Sequence, residues 1–157
     1  MSSQESQHNS PSGDNSKPET HRILIVDDEP AICFAYRKLL ENELLGFDIC
    51  ESVEAAIALL NKNTYLAVIS DVRFAGSDNK DGVYFVSILR KVQPQAKVIL
   101  VTGYGSDELK KSAHELGVSH YFEKPVKPSL ILSLLRSLHL VADEQEENDS
   151  YKQVVFG

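Results

Sequence analysis

The sequence predicts a doubly wound α/β sandwich, and three observations predict it. Short continuous apolar runs rich in β-branched residues recur along the chain, segments of helical spacing separate them, and the alternation persists through five strand–helix units. Such runs are buried on both faces, the condition of a parallel sheet covered by helices. With 157 residues, 42% hydrophobic and 25% charged, the chain can bury one core of this kind.

The first strand is Ile23-Leu24-Ile25-Val26, and the helix after it runs over 30–44. Pro30 opens that helix, because a first turn has no use for the missing N–H, and Gly46 stands where it stops. Phe47-Asp48-Ile49-Cys50 alternates apolar with polar and reads as an edge strand. Ser52 caps the next helix, 53–62, ahead of Glu54. Leu66-Ala67-Val68-Ile69 is a buried strand followed by a helix over 82–92, and Val98-Ile99-Leu100-Val101 is the next. Ser106 caps a helix over 106–116 that Gly117 ends. The mixed stretch 118–122 is a second edge strand, and Pro128 opens a last helix over 128–140.

Outside this pattern the composition changes. Residues 1–20 hold only Met1 from the hydrophobic set and are expected to be a disordered tail. Residues 142–157 form an acidic tail whose apolar end, Tyr151 to Phe156, reads as frayed. Of the net charge of −7, the first 20 residues carry −2 and residues 142–157 carry −4, which leaves −1 for the folded part, 21–141. That balance argues against nucleic acid as a direct partner. No apolar run approaches the roughly 20 residues of a membrane span. Met1-Ser2-Ser3-Gln4 begins a segment with no apolar core, so no secretory signal is expected and the protein is placed in the cytoplasm. Cys33 and Cys50 have no zinc or redox spacing and are read as reduced, and the five histidines show no metal-binding pattern.

Ligands of open α/β sheets bind beyond the carboxyl ends of the strands. The first strand here ends in Asp27-Asp28-Glu29, the third in Asp71, the fourth in Thr102-Gly103 and the fifth in Lys124-Pro125. Each has an ordinary explanation alone: Asp28 as a helix cap, Thr102 as a strand terminus, Lys124 as a solvated lysine. Asp71 resists one, because it ends a strand at the buried centre of the sheet. Together, acids, a hydroxyl and an ammonium converge on one edge.

On these stretches, with Asp81-Gly82 and Tyr121-Phe122-Glu123-Lys124-Pro125, the sequence resembles the receiver domain of two-component response regulators over roughly 21–141. The resemblance implies a flavodoxin-like five-stranded sheet in the order 2-1-3-4-5 with five helices. It implies that Asp71 is the phosphoacceptor, taking a phosphoryl group from a sensor histidine kinase or a histidine phosphotransfer protein. It assigns Mg²⁺ to Asp28 and Asp71 directly, to Asp27 through water and to the backbone carbonyl of Arg73. Lys124 and Thr102 then take phosphoryl oxygens, and Tyr121 moves with Thr102 as the switch that alters protein contacts. Hard oxygen donors suit Mg²⁺, and fixed charges suit a transferring phosphoryl group.

The chain departs from the family in the loop after Asp71, where Phe74-Ala75 replaces Met-Pro and about three residues are added. Arg73 and Tyr104, two residues beyond Asp71 and Thr102, are expected to rim the phosphoryl pocket and hinder hydrolytic water. On the first helix, Ile32, Ala35, Tyr36 and Leu39 take the spacing of a buried face, which turns Cys33 and Phe34 outward as a candidate docking patch. Only 17 residues follow Leu140, so a single-domain regulator without an enzymatic or DNA-binding output is expected. The expected activity is not enzymatic beyond self-phosphorylation from small donors and slow self-dephosphorylation. The alternatives are an unphosphorylated interaction module and a small phosphohydrolase. Intact Asp27, Asp28, Asp71, Thr102 and Lys124 oppose the first, and the absence of Asp-x-Asp after the first strand opposes the second.

Overall fold

The computed structural model describes residues 22–42, 46–71, 80–103 and 105–138. Both tails, the loop after Asp71 with Arg73, and Tyr104 lie outside the described residues. Ten elements alternate: β1 Arg22–Val26, α1 Pro30–Leu40, β2 Gly46–Cys50, α2 Val53–Lys62, β3 Ala67–Asp71, α3 Lys80–Val92, β4 Lys97–Thr102, α4 Asp107–Glu115, β5 His120–Glu123 and α5 Pro128–Ser137. All strand pairs are parallel and the sheet order is β2-β1-β3-β4-β5. The expected fold is the observed one, with β2 and β5 at the edges.

Strand alternation divides the core into two layers, because successive side chains face opposite sides of a sheet. Leu24, Val26, Val68, Val98, Leu100 and Tyr121 pack with the inner faces of α2, α3 and α4. Ile23, Ile25, Ile69, Ile99, Val101 and Phe122 pack with α1 and α5. Because both faces are covered, the apolar runs are continuous. Among the described residues no helix is long and apolar enough to cross a membrane.

Element ends differ from the sequence reading where local hydrogen bonding decides. α1 stops at Leu40, and Glu41 caps it with its amide donating to the Arg37 carbonyl at 3.0 Å, where the sequence reading carried the helix to 44. Gly46 is thus the first residue of β2, paired with Arg22, and not a helix stop. β5 starts at His120 rather than Val118. Gly117 has φ 73°, its N–H donates to the His114 carbonyl, and the Val118 N–H donates to the Ala113 carbonyl, both at 3.0 Å. Val118 therefore closes α4 in a left-handed glycine cap and has no amide left for the sheet. Ser52 and Ser106 cap as expected, accepting from the amides of Ala55 and Leu109 at 3.1 Å.

A polar clasp closes the amino edge of the sheet. Arg22 Nη1 donates to both Asp48 oxygens at 3.2 and 3.1 Å, and the Tyr65 hydroxyl donates to Asp48 Oδ2 at 2.7 Å. Gln93 accepts from the Tyr65 amide at 2.8 Å and donates to the Leu60 and Asn63 carbonyls at 2.9 and 2.7 Å. This ties β1, β2, the α2–β3 connection and the end of α3 together.

Candidate functional site

Register brings the acids level at the opposite edge. Val26 pairs with Ser70, so the next residue on each strand is an aspartate, Asp27 and Asp71. Both are 4% exposed, whereas Asp28 and Glu29 are exposed. Asp27 leaves β1 with its amide donating to the Cys50 carbonyl at 3.1 Å, while its Oδ1 accepts from the Glu29 amide at 2.9 Å. That turn carries Asp28 and Glu29 over the carboxyl edge. Asp28 does not cap α1; Glu29 holds the capping position, without a side-chain bond.

Across the sheet, Thr102 ends β4 and is fully buried. The Lys124 amide donates to the Thr102 carbonyl at 2.7 Å, so the residue after β5 turns back over β4. Its Nζ then donates to Asp71 Oδ2 at 2.7 Å, Glu29 Oε1 at 3.0 Å and Asp27 Oδ2 at 3.4 Å. The structure thus brings Asp27, Asp28, Asp71 and Lys124 together at one edge, where Thr102 ends β4.

Glu29, one of the acids that end the first strand in sequence but one given no role there, belongs to this group, and its reach to Lys124 is what singles it out. One oxygen each from Asp27, Asp28, Glu29 and Asp71 lies within 4.8 Å of the others. Among the described residues, four carboxylates thus gather around the Lys124 ammonium.

The electrostatics follow from that imbalance. Burial raises the Asp27 pKa, and the charge of Asp71 adds to it; the Glu29 amide and Lys124 offset only part. Burial alone would lower the pKa of Lys124, but the hydrogen bonds it donates to Asp71 and Glu29 and the charges of Asp27 and Asp71 hold it above its ordinary value. Tyr36, buried on α1, is pushed up by burial and then by Asp27 and Asp71. A cluster of hard oxygens fits Mg²⁺: the donor set is carboxylate, and a divalent cation would relieve the repulsion Asp27 registers.

Cys33 requires a correction. It is 7% exposed and faces inward, its Sγ donating to the Asp27 carbonyl at 3.1 Å. The buried face of α1 is Cys33, Tyr36 and Leu40, with Ile32, Ala35 and Leu39 half-buried at its margins, so the inward face is turned by one residue from the expected spacing. Burial raises the Cys33 thiol, followed by the charge of Asp27, which leaves it protonated and a donor. Phe34 alone of the pair is outward, 61% exposed, with Lys38 Nζ 5.7 Å from its ring centroid. Tyr121 is 2% exposed and turned into the core, not out into water.

Comparison with known proteins matches this geometry. A model of the family described as "Response regulator receiver domain" matches residues 23–136. An NtrX-like response regulator of Rickettsia felis is 30% identical over 134 residues, 85% of this chain and 28% of that protein. The response regulator protein FleR of Pseudomonas aeruginosa is 32% identical over 117 residues, covering 73% and 24% respectively. The chain therefore spans about a quarter of the length of these relatives. A CheY-like receiver domain of Methanospirillum hungatei superimposes with a TM-score of 0.68 at 28% identity, over 75% of this chain and 92% of that one.

Proposed function

The chain belongs to the response regulator receiver family, and from that premise we propose that it accepts a phosphoryl group on Asp71 and signals by changing its contacts with other proteins. The observation that carries this reading is the Asp71 carboxylate itself, buried at a strand end, bonded to Lys124 and grouped with three further carboxylates. Its donors are a sensor histidine kinase or a histidine phosphotransfer protein.

An Asp71 oxygen attacks phosphorus in line, a P–O bond forms, and the P–N bond of the phosphohistidine breaks as the imidazole takes up a proton. Asp27, Asp28 and Asp71 would hold Mg²⁺, which when bound offsets the repulsion between the carboxylates and the incoming phosphoryl group. Lys124, bonded to Asp71 in the unmodified protein, moves its ammonium onto a phosphoryl oxygen. The Thr102 hydroxyl takes another, and Tyr121 follows Thr102, shifting a pre-existing population. The surface reshaped is α4, β5 and α5, where Lys110, Lys111 and His114 are exposed.

The test is labelling by acetyl phosphate. Label that requires Mg²⁺ and disappears in Asp71→Asn is the expected result; equal label on both proteins would overturn the reading. Phe34, exposed near the acidic edge, is proposed as a kinase contact. Phe34→Lys should slow phosphotransfer from the partner about tenfold while labelling by acetyl phosphate continues; equal loss in both assays would remove Phe34 from the contact.

A further inference from the structure

Gly105 lies in the β4–α4 connection, three residues beyond Thr102 and one before the cap residue Ser106. A Cβ at this position would sit 2.8 Å from the Tyr121 hydroxyl and would also overlap the Glu123 carboxylate. At Gly103, by contrast, it would meet Lys124 Cδ at an ordinary 3.9 Å. The connection therefore lies directly on Tyr121 at Gly105, closer than any side chain permits. The Lys124 amide donates to the Thr102 carbonyl at 2.7 Å, which ties the start of the connection to the end of β5.

The two groups that a side chain would displace respond differently. Glu123 is exposed and can swing into water. The Tyr121 ring is packed in the core, and its hydroxyl can withdraw from Gly105 only if the ring leaves its inward position. We propose that Gly105 is a positioning residue for Tyr121: the missing side chain lets the β4–α4 connection rest on the hydroxyl and keeps the ring inward in the unmodified protein. Any side chain at 105 drives the ring outward, away from the position it holds behind Thr102. The inference rests on Tyr121 being the switch side chain of the function proposed above and names the residue that sets its resting position.

The test is ¹⁹F NMR of protein carrying 3-fluorotyrosine, with a soluble paramagnetic chelate as the exposure probe. The chain has six tyrosines; Tyr121→Phe assigns the signal of interest, and Tyr84, 60% exposed, gives the exposed reference. In the full chain the Tyr121 signal should be protected. In Gly105→Ala it should broaden towards the Tyr84 level, with the inward-to-outward ratio shifted about tenfold. A signal as protected as in the native protein overturns the proposal. Glu123→Ala should leave Tyr121 protected; exposure there would make the carboxylate, not the glycine, the determinant.

A thermal double-mutant cycle covers the case in which Gly105→Ala folds poorly. Gly105→Ala should lower the melting temperature in the native background and have little effect in Tyr121→Phe, where the crowded hydroxyl is gone. Equal lowering in both backgrounds, or a double variant that does not fold, overturns the proposal. None of these measurements uses a phosphoryl donor. An Asp71 that takes no label counts against the proposed function, whereas an unmoved Tyr121 counts against Gly105 alone.

Discussion

The two edges of the sheet are both polar, yet they are built on opposite terms. At the amino edge, Asp48 is matched by the Arg22 guanidinium and the Tyr65 hydroxyl, and Gln93 satisfies the backbone of two neighbouring segments. At the carboxyl edge, Asp27, Asp28, Glu29 and Asp71 crowd together with Lys124 as their shared ammonium. The contrast is legible in the titration of the buried groups. Tyr65 is pushed above its ordinary value by burial and by its bond to Asp48, which keeps it a donor. Asp27 is raised by burial and by Asp71, a carboxylate held where its charged form is disfavoured. One edge holds the fold closed, while the other crowds carboxylates whose mutual repulsion a divalent cation would relieve.

The largest expected effect tests that division of labour. Lys124→Met should slow labelling of Asp71 about 100-fold, the scale of losing one fixed charge that stabilises a transfer state, as read from acetyl phosphate kinetics. Asp48→Ala should leave those kinetics in place. An equal slowing in the two variants would erase the distinction between the edges.

Next in size is the converse at the amino edge. Asp48→Ala leaves the Tyr65 hydroxyl and Arg22 without their carboxylate and should cost about 2 kcal/mol in urea unfolding. A loss below about 0.5 kcal/mol, the range of ordinary surface substitutions, would mean the clasp does not hold the fold.

The smallest effect concerns His120, which lies near neither edge cluster. It is buried at the start of β5, stacked on Phe122 at 6.5 Å, and its pKa is lowered from 6.5 by burial and then by Lys97. The folded state thus favours the neutral ring, so its contribution is intact above pH 6.5 and is lost as pH falls through 6.5 towards the lower folded value. Melting temperature followed across that window should decline, and His120→Phe should flatten the decline. An unchanged slope would place the acid sensitivity elsewhere.

The sheet was readable because β1, β3 and β4 are covered on both faces and so carry unbroken apolar runs, while β2 and β5 betray their edge positions by mixed composition. The site was readable because α/β topology sends every strand end to the same edge, so acids at 27, 28 and 71 needed only the strand order to meet. Cys33 was not readable in the same way. Residues 31–36 are Ala, Ile, Cys, Phe, Ala and Tyr, so periodicity cannot choose between adjacent faces, and the packing of Tyr36 and Leu40 in the core turns Cys33 in toward the Asp27 carbonyl. Glu29 stood among the strand-end acids, but its bond to Lys124 was hidden because the reach of a long side chain is a tertiary fact. Gly105 was hidden for a related reason: its closeness to Tyr121 depends on where two strands place their ends.

The most direct test of the account is to locate the phosphoryl group. Protein incubated with acetyl phosphate and Mg²⁺ is treated with borohydride, which reduces an acyl phosphate to the alcohol, and the modified residue is read by peptide mass spectrometry. Reduction at Asp71, dependent on Mg²⁺ and absent from Asp27 and Asp28, is the result the account predicts. Reduction at either of the other two aspartates, or at no residue, would contradict it.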